Sequence, residues 1–409
     1  MVDRQGLAFG AKVKQLRRAA GLDQRGLARV LKRSVSWVSQ VERGEIVVRD
    51  VGMLQRLAAA LGVPSRELVE LALGEEAGDA ERQRPYVETL RLTLAGHPAP
   101  RSALGLARAD RARGRSVEDP EGQVRRAWEL VHASAFDQLG PLLAGLIPAL
   151  EVESRETTGP QQTRALGLLA DAYQVAAAML VKVGDVGAGW IAADRAISAG
   201  ERCGDASLVM AGQLRIAHTF VGSSENGLAL HVLRQAVDAA GGLSPAADPG
   251  LVSLTGACAL LLAVLEARQG NAAEARRHLE AAVRLARHVG GDRNLVGTEF
   301  GPTNVALHQV AVAVELGNAA EALELAATID ASGLSRERQA RFLIDVARAH
   351  TQRRAVAAAI AALTEAETIA PAEVTDSRLV RELLGDLEHL ASGWPSPGLR
   401  ALRRHATHS

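Results

Sequence analysis

Residues 16–44 read LRRAAGLDQRGLARVLKRSVSWVSQVERG, and the fold of the N-terminal part of the chain turns on how this stretch divides into helices. Just upstream, Val13, Leu16 and Ala20 stand at helical spacing within Phe9–Ala20, and Gly21 supplies a left-handed stop. Asp23 is placed to cap a second helix, QRGLARVL, with Leu27, Val30 and Leu31 on its inner face. Lys32 and Arg33 form a turn, Ser34 caps a third helix, and Gly44 closes it. In the third helix Val38 and Val41 lie three apart and point to the core, with Trp37 over their flank. Val35 with Ser39, and Ser36 with Gln40 and Arg43, fall on adjacent outward faces. Short polar groups, one amide and a terminal arginine can approach base edges without steric conflict. The other reading of such a face is the solvated side of an ordinary bundle.

Met53–Leu61 reads as a fourth helix, ended by Gly62 and Pro64, and Ser65–Leu73 as a fifth. Five short helices in about seventy residues, with a tight turn between the second and third, describe a helix-turn-helix domain. Charge supports the division. Lys plus Arg and Asp plus Glu are 47 each, yet residues 1–73 hold 13 basic and 7 acidic residues, leaving 34 basic and 40 acidic for the rest. A basic head on an acidic body suits a polyanion partner for the head alone.

The quoted stretch resembles the XRE (phage-repressor) helix-turn-helix family. Leu16, Arg17, Gly21, Leu22, Gln24, Leu27, Ala28, Ser34, Val38, Ser39, Glu42 and Gly44 match its pattern in order, and MLQRLAAALGVP matches its fourth helix. The resemblance covers roughly residues 7–73. It implies double-stranded DNA as partner, with Gln24 and Arg25 at a phosphate and Arg33 and Ser34 at the turn. Val35, Ser36, Ser39 and Gln40 would lie over the major groove, Arg43 would reach the next phosphates, and Arg17 and Glu42 would form a structural ion pair. Departures are Asp23 for the usual Ser or Thr, Gly26 inside the second helix, and Lys32-Arg33 where Gly-Val is common. Valine at 35, where long polar side chains often sit, bears on base preference.

Gly74–Asp79 breaks the pattern as a linker, helix resumes through Tyr86–Leu94, and Arg101–Arg115 is arginine-dense, read as solvated helix and loop. Residues 74–120 are thus taken as linker and connecting helices, and 121–409 as the body. From Gly122 amphipathic helices recur in pairs. Gly189, Ala229, Ala275, Ala322 and Ala359 open the second helices. Four and seven residues later stand Ala193 and Ala196, Leu233 and Ala236, Leu279 and Ala282, Ala326 and Ile329, Leu363 and Ala366. Twelve residues before each opening stand Ala177, Ala217, Ala263, Val310 and Ala347, with turns at Gly184, Gly270 and Gly317. RRAWELVHASAFDQLGPLLAGLIPALE supplies an earlier degenerate pair. Aromatics are only 3% of the chain, which suits helices packed through small residues.

The body resembles the tetratricopeptide repeat (TPR), whose stacked pairs form a superhelix with a concave groove. The markers are 37 to 47 residues apart rather than about 34, and the consensus tryptophan and tyrosine are missing. The expected fold is therefore all-α: a five-helix head followed by a TPR-like superhelix. Carrying the register over places Gln174, Arg215, His218, Asn304, His308, Arg341, Asp345 and Arg348 on the groove side. Asn304 would hydrogen-bond a peptide backbone and arginines would hold a carboxylate. The alternatives are solvated side chains, and for Arg341, Asp345 and Arg348 an internal ion-pair ladder.

GxxxxGK[ST], HExxH and GxSxG are absent, and Cys203 and Cys258 make neither a disulfide framework nor a metal knuckle, so no enzymatic activity, cofactor or metal is expected. No signal peptide is visible, and the apolar run Leu251–Leu265 reads as too short to span a bilayer, so a cytoplasmic location is expected. The architecture resembles the peptide-responsive RRNPP regulators. That implies a homodimer on a palindromic operator, controlled by a peptide or small-molecule effector. The alternative is a DNA-tethered scaffold whose body docks a partner protein.

Overall fold

Helix ends in the head follow the punctuation of its sequence. In the computed structural model, which describes residues 4–31, 33–44, 46, 48, 51–63, 68, 85–96, 118–241, 248–375, 377–391 and 396–407, α1 spans Arg4–Ala19, α2 Gln24–Leu31, α3 Val35–Glu42 and α4 Val51–Leu61. The Gly26 amide donates to Asp23 Oδ1 (2.6 Å) and the Trp37 amide to Ser34 Oγ (3.1 Å), so both expected caps form. Gly21 and Gly44 take left-handed conformations at φ +69° and +72°. Leu27, Leu31, Val38, Val41, Leu54 and Leu57 share one core with Phe9 and Val13. Val30 is a correction: it is 57% exposed. Leu27, Ala28 and Leu31 form the buried stripe, and Val30 sits about 100° from its centre on a helix of 3.6 residues per turn. The expected fifth helix, the 74–79 linker, Lys32 and the arginine-dense 101–115 segment lie outside the described residues.

The chain divides into two compact units, Met1–Pro85 and Tyr86–Ser409. Helix α5, Pro85–Ala95, puts Val87, Leu90 and Leu94 into the first hydrophobic cluster of the second unit. The body then runs as pairs. Helices α6 (Pro120–His132) and α7 (Phe136–Glu156) make the degenerate pair, and α8 (Pro160–Lys182) with α9 (Val186–Cys203) the next. They are followed by α10 (Ala206–Gly222) with α11 (Asn226–Ala240), α12 (Pro249–Arg268) with α13 (Ala272–Val289), α14 (Pro302–Glu315) with α15 (Ala319–Ala326), and α16 (Arg336–Gln352) with α17 (Val356–Ile369). Helices α18 (Pro371–Thr375), α19 (Arg378–Leu390) and α20 (Pro397–Thr407) cap the last pair through Val374, Leu384 and Leu399.

The small-residue register lies at the crossings. Ala177, Ala217, Ala263, Val310 and Ala347 are at most 1% exposed, and Ala229, Ala275, Ala322 and Ala359 are fully buried. First helices of successive pairs pack on one another, α8 on α10, α10 on α12, α12 on α14 and α14 on α16, and so line one continuous side. Helix α15 stops at Ala326, so Ile329 of the register lies beyond it. The run around Leu251–Leu265 is also longer than read from sequence. As α12 it reaches 20 residues, one of two helices among the described residues with the length and apolarity of a membrane span, and two-thirds of its apolar window is buried inside the body.

One feature of the pairs is carried by backbone rather than side chain. The turn after each first helix holds a left-handed residue: Ser134, Gly184, Ser224, Gly270, Gly317 and Arg354, at φ +54°, +88°, +65°, +80°, +78° and +59°. Non-glycine residues there pay a steric cost against Cβ. Ser224→Gly and Arg354→Gly are expected to stabilise the protein by up to about 1 kcal/mol each, and Gly270→Ala to destabilise it by about 1 kcal/mol. Chemical denaturation reads both. A loss of stability in both glycine variants would show that the turns are held by contacts of those side chains instead.

Candidate DNA interface and effector groove

A buried ion pair anchors the head. Arg17 Nε donates to Glu42 Oε1, Arg17 Nη2 lies 3.1 Å from Glu42 Oε2, and Arg17 Nη1 donates to the Leu22 carbonyl at 2.8 Å. Gln24 Nε2 adds a hydrogen bond to Glu42 Oε2 at 2.9 Å. Burial works against the Glu42 charge, but the hydrogen bonds from Arg17 and Gln24 outweigh it and hold the carboxyl below its ordinary range. The same hydrogen bond raises Arg17. Four groups thus tie α1, the α1–α2 turn, α2 and α3 together. Gln24, which the family resemblance aims at a phosphate, is engaged inside the head.

On α3, Val35 is 41% exposed and Ser36 and Arg43 are exposed, while Ser39 and Gln40 are half-buried. Arg43 Nη1 donates to Ser39 Oγ at 2.6 Å. At the other end Arg33 lies 5.6 Å from the centre of the Trp37 ring, and Arg25 is exposed on α2. The outward face expected of the third helix therefore exists, bounded by arginines at both ends.

The side of the body lined by the first helices gathers most of the other candidates. The Arg215 guanidinium carbon lies 5.4 Å from the centre of the Trp128 ring. The field of Arg215, Arg338 and Arg341 reaches His218, and that of Arg338 and Arg341 reaches His308, so helices α10, α14 and α16 face one space. Gln174 is fully buried, and neither end of its amide has a partner. Asn304 donates to the Glu299 carbonyl at 3.1 Å, leaving its Oδ1 unpaired. Arg348 and Asp345 follow the other reading: Arg348 pairs with Asp345 at 2.9 Å and Glu315 at 3.2 Å, an internal ladder joined by Arg268. Arg341 stays exposed, 3.9 Å from Glu373.

Two features of this side were not visible in the sequence. Residues 290–301 cross it as a strap. Phe300 is fully buried against Gly256, where a Cβ would sit 2.1 Å from the ring. Thr298 Oγ1 lies 2.7 Å from Ser253 Oγ, and the Glu299 carboxylate accepts from Ser335 N (2.9 Å) and Oγ (2.7 Å). The superhelix also closes on itself. Lys182 Nζ reaches Glu337 at 2.8 Å and Glu373 at 2.6 Å, Ser134 Oγ reaches Glu373 at 3.2 Å, and His132 Nδ1 lies 3.7 Å from Glu299 and 3.8 Å from Glu337. A separate apolar cavity of about 210 Å³ between α13 and α14 is lined by Val283, Arg287, Val305 and Gln309 and by none of these polar groups.

The family model that matches the chain is a helix-turn-helix domain, over residues 8–72. Residues 8–72 are a helix-turn-helix domain. The match spans α1 to α4 and the Arg17–Glu42 pair. No curated protein matches the chain. Among solved structures, a crystal structure of Bacillus thuringiensis PlcR in complex with the peptide PapR7 and DNA aligns over 69% of this chain and 95% of its own, at 16% identity and a TM-score of 0.31. Across the helix-turn-helix head and the body, no group of three His, Cys, Asp or Glu side chains converges on a common point among the described residues.

The groove has a pH signature. Burial and the three arginines push His218 down to about 3, and burial with Arg338 pushes His308 down to about 4, from 6.5. The unfolded chain takes up these protons below pH 6.5 and the folded chain only near pH 4 and 3, so both histidines stabilise the fold above pH 6.5 and that stability drains away on acidification. Asp171, raised to about 6 by burial, opposes this over a narrower window. Thermal midpoints measured from pH 7 to 5 are expected to fall, less steeply in His218→Asn. An unchanged slope in that variant would remove His218 from the account.

Proposed function

We propose that this protein is a transcriptional regulator of the XRE type, in which the helix-turn-helix head reads double-stranded DNA and the TPR-like body takes up an effector that controls it. The observation that carries the first half is α3: an exposed, short-side-chain face on a helix locked by the Arg17–Glu42–Gln24 network, in a head of net positive charge. Val35, Ser36, Ser39 and Gln40 contact base edges, with Val35 suited to a thymine methyl, and Arg25, Arg33, Ser34 and Arg43 contact the backbone. Such heads work as homodimers on palindromic half-sites about one helical turn (~34 Å) apart. Gln24 reaches a phosphate only by leaving Glu42. The cytoplasm is the compartment this activity requires.

The second half is supported by the side lined by the first helices, where buried polar atoms of Gln174, Arg215, His218 and Asn304 have no partners. A peptide or small molecule that satisfies them favours one curvature of the body and, through a dimer, one spacing of heads. The alternative, a DNA-tethered scaffold docking a partner protein, draws on the apolar side chains left exposed on α5 and α9: Leu92 at 64%, Trp190 at 45% and Ile191 at 44%.

Selection of genomic fragments by the full-length protein near 150 mM salt, with and without extract of the parent cells, separates these readings. A shared palindrome that responds to peptide- and metabolite-sized extract supports effector control. A palindrome indifferent to extract, with a co-purifying protein, supports docking. Gln40→Ala is expected to reduce the preference for that palindrome about 5- to 100-fold while leaving random-DNA affinity nearly unchanged. Equal losses on both would take α3 out of base readout.

A further inference from the structure

The fifth pair of the body is short of a piece of helix. Helices α9, α11, α13 and α17 run ten to fourteen residues past their markers Gly189, Ala229, Ala275 and Ala359, whereas α15 stops at Ala326, four residues past Ala322. At 1.5 Å per residue the shortfall is about 9–15 Å, or about two to three turns. Helix α15 packs on the C-terminal half of α14, where Val310, Ala313 and Val314 meet Ala319 and Ala322. The short turn at residues 316–318 makes the two helices antiparallel, so the missing turns would have run along residues 302–309. That is where the cavity of about 210 Å³ lies. Val283, Ala286 and Arg287 of α13 line it from one face at i, i+3 and i+4, and Pro302, Val305, Ala306 and Gln309 of α14 from another. The chain downstream of α15 is committed elsewhere, since Ser335 bonds Glu299 and caps α16. The rim of the gap is cationic. Helix α13 carries Arg276, Arg277, Arg284 and Arg287 against Glu274 and Glu280, in a body of net negative charge. Arg277 is tied to Glu274, but Arg276, Arg284 and Arg287 are exposed and make no ion pair among the described residues. Arg276 and Arg287 stand on the stripe of Val283, seven residues before it and four after, with Arg284 beside them.

We propose that the gap left by the short α15 docks an acidic amphipathic helix of a partner protein. Apolar residues of that helix at i, i+3 and i+4 enter the cavity, and its Asp or Glu side chains face Arg276, Arg284 and Arg287. This surface adds a partner to the body and rests neither on the DNA face nor on the effector proposed above. A helix suits the gap because two helix faces frame it and a longer second helix would have filled it. A cavity of ~150 Å³ accommodates a benzene ring, so this one takes one or two apolar side chains. Anchors at helical spacing in an apolar groove are an established way to recognise a helix. The unpaired arginines on the rim speed the encounter with an acidic helix and repel a basic one.

The test uses the full-length protein and a displayed library of four-turn helical peptides, randomised at the apolar and flanking positions. Selection is expected to enrich Leu, Ile, Met or Phe at i, i+3 and i+4 with Asp or Glu on the flanks. An enriched peptide, labelled for anisotropy, is expected to bind Ala306→Phe about 10- to 100-fold more weakly, because the new ring occupies the cavity. The double variant Arg284→Glu, Arg287→Glu is expected to weaken it about 10-fold. Arg202→Glu, exposed on α9, is expected to bind as the parent does. Thermal midpoints check the fold of each variant, and Gln309→Glu, at the half-buried rim, replaces Ala306→Phe if the latter unfolds. No enrichment, or enrichment of basic or uncharged peptides, overturns the proposal. So does an affinity unchanged in both the cavity and the arginine variants. A dimer in sedimentation that Ala306→Phe dissociates gives the gap to a second copy of this chain and overturns the partner. A loss of random-DNA affinity in the double variant, with no peptide enriched, assigns the arginines to nucleic acid instead. The regulator reading is judged separately, by the selection of genomic fragments.

Discussion

Helices pack closely only where the residues at their crossing are small, and the body depends on that contact at each pair. Where Ala177 faces Gly189, a Cβ on the glycine would stand 2.9 Å from Val181 and 3.5 Å from the Ala177 carbonyl. At the later crossings the opposed residues are fully buried alanines, with Val310 the one larger member. Close pairs bury their apolar stripes against each other and against the next pair, so the stack holds a continuous core with few aromatic side chains. Polar residues on the first helices are then gathered on the one side those helices line.

What stands on that side is costly to maintain. Unpaired buried polar groups cost about 1–3 kcal/mol each, and Val296 and Glu299 add left-handed backbone at φ +51° and +50°, unfavourable for a β-branched residue above all. Such strain persists only where the surroundings over-determine it. Here they do: Phe300 fills the notch at Gly256, Thr298 bonds Ser253, and Glu299 caps the N-terminus of α16 through Ser335. The strap is pinned on two helices of different pairs, so its shape cannot change unless those helices move.

Local signals in the sequence were sufficient for the head and for the pairing of the body. Asp23 and Ser34 cap as their types require, and the alanine register marks every crossing from α8 to α17. Val30 was misread because a three-residue step was counted as part of a stripe that Leu27, Ala28 and Leu31 already filled. The repeated turn was visible at Gly184, Gly270 and Gly317 but not at Ser134, Ser224 or Arg354, since a left-handed residue without glycine leaves no mark in sequence. The strap and the closure were invisible for another reason. Lys182 and Glu373 are 191 residues apart, and Thr298 and Ser253 are 45 apart; no periodicity links such partners. Groove residues chosen by register therefore mixed two kinds. Arg348 and Asp345 satisfy one another, whereas Gln174, Arg215 and His218 satisfy nothing.

That difference between satisfied and unsatisfied polar groups also separates the two halves of the molecule. In the head, Arg17, Gln24 and Glu42 form a closed network, and closure gives rigidity: α3 cannot turn about its axis without breaking a buried charge pair, which costs about 3–5 kcal/mol. On the function proposed above, α3 benefits from such stiffness, because short side chains such as those of Ser36 and Ser39 could discriminate bases only with their backbone held in place. In the body the corresponding positions stay unmatched: both amide atoms of Gln174 and Oδ1 of Asn304 are buried without partners. Along this chain the closed network lies in α1–α3, and buried polar atoms without partners lie on α8, α10 and α14.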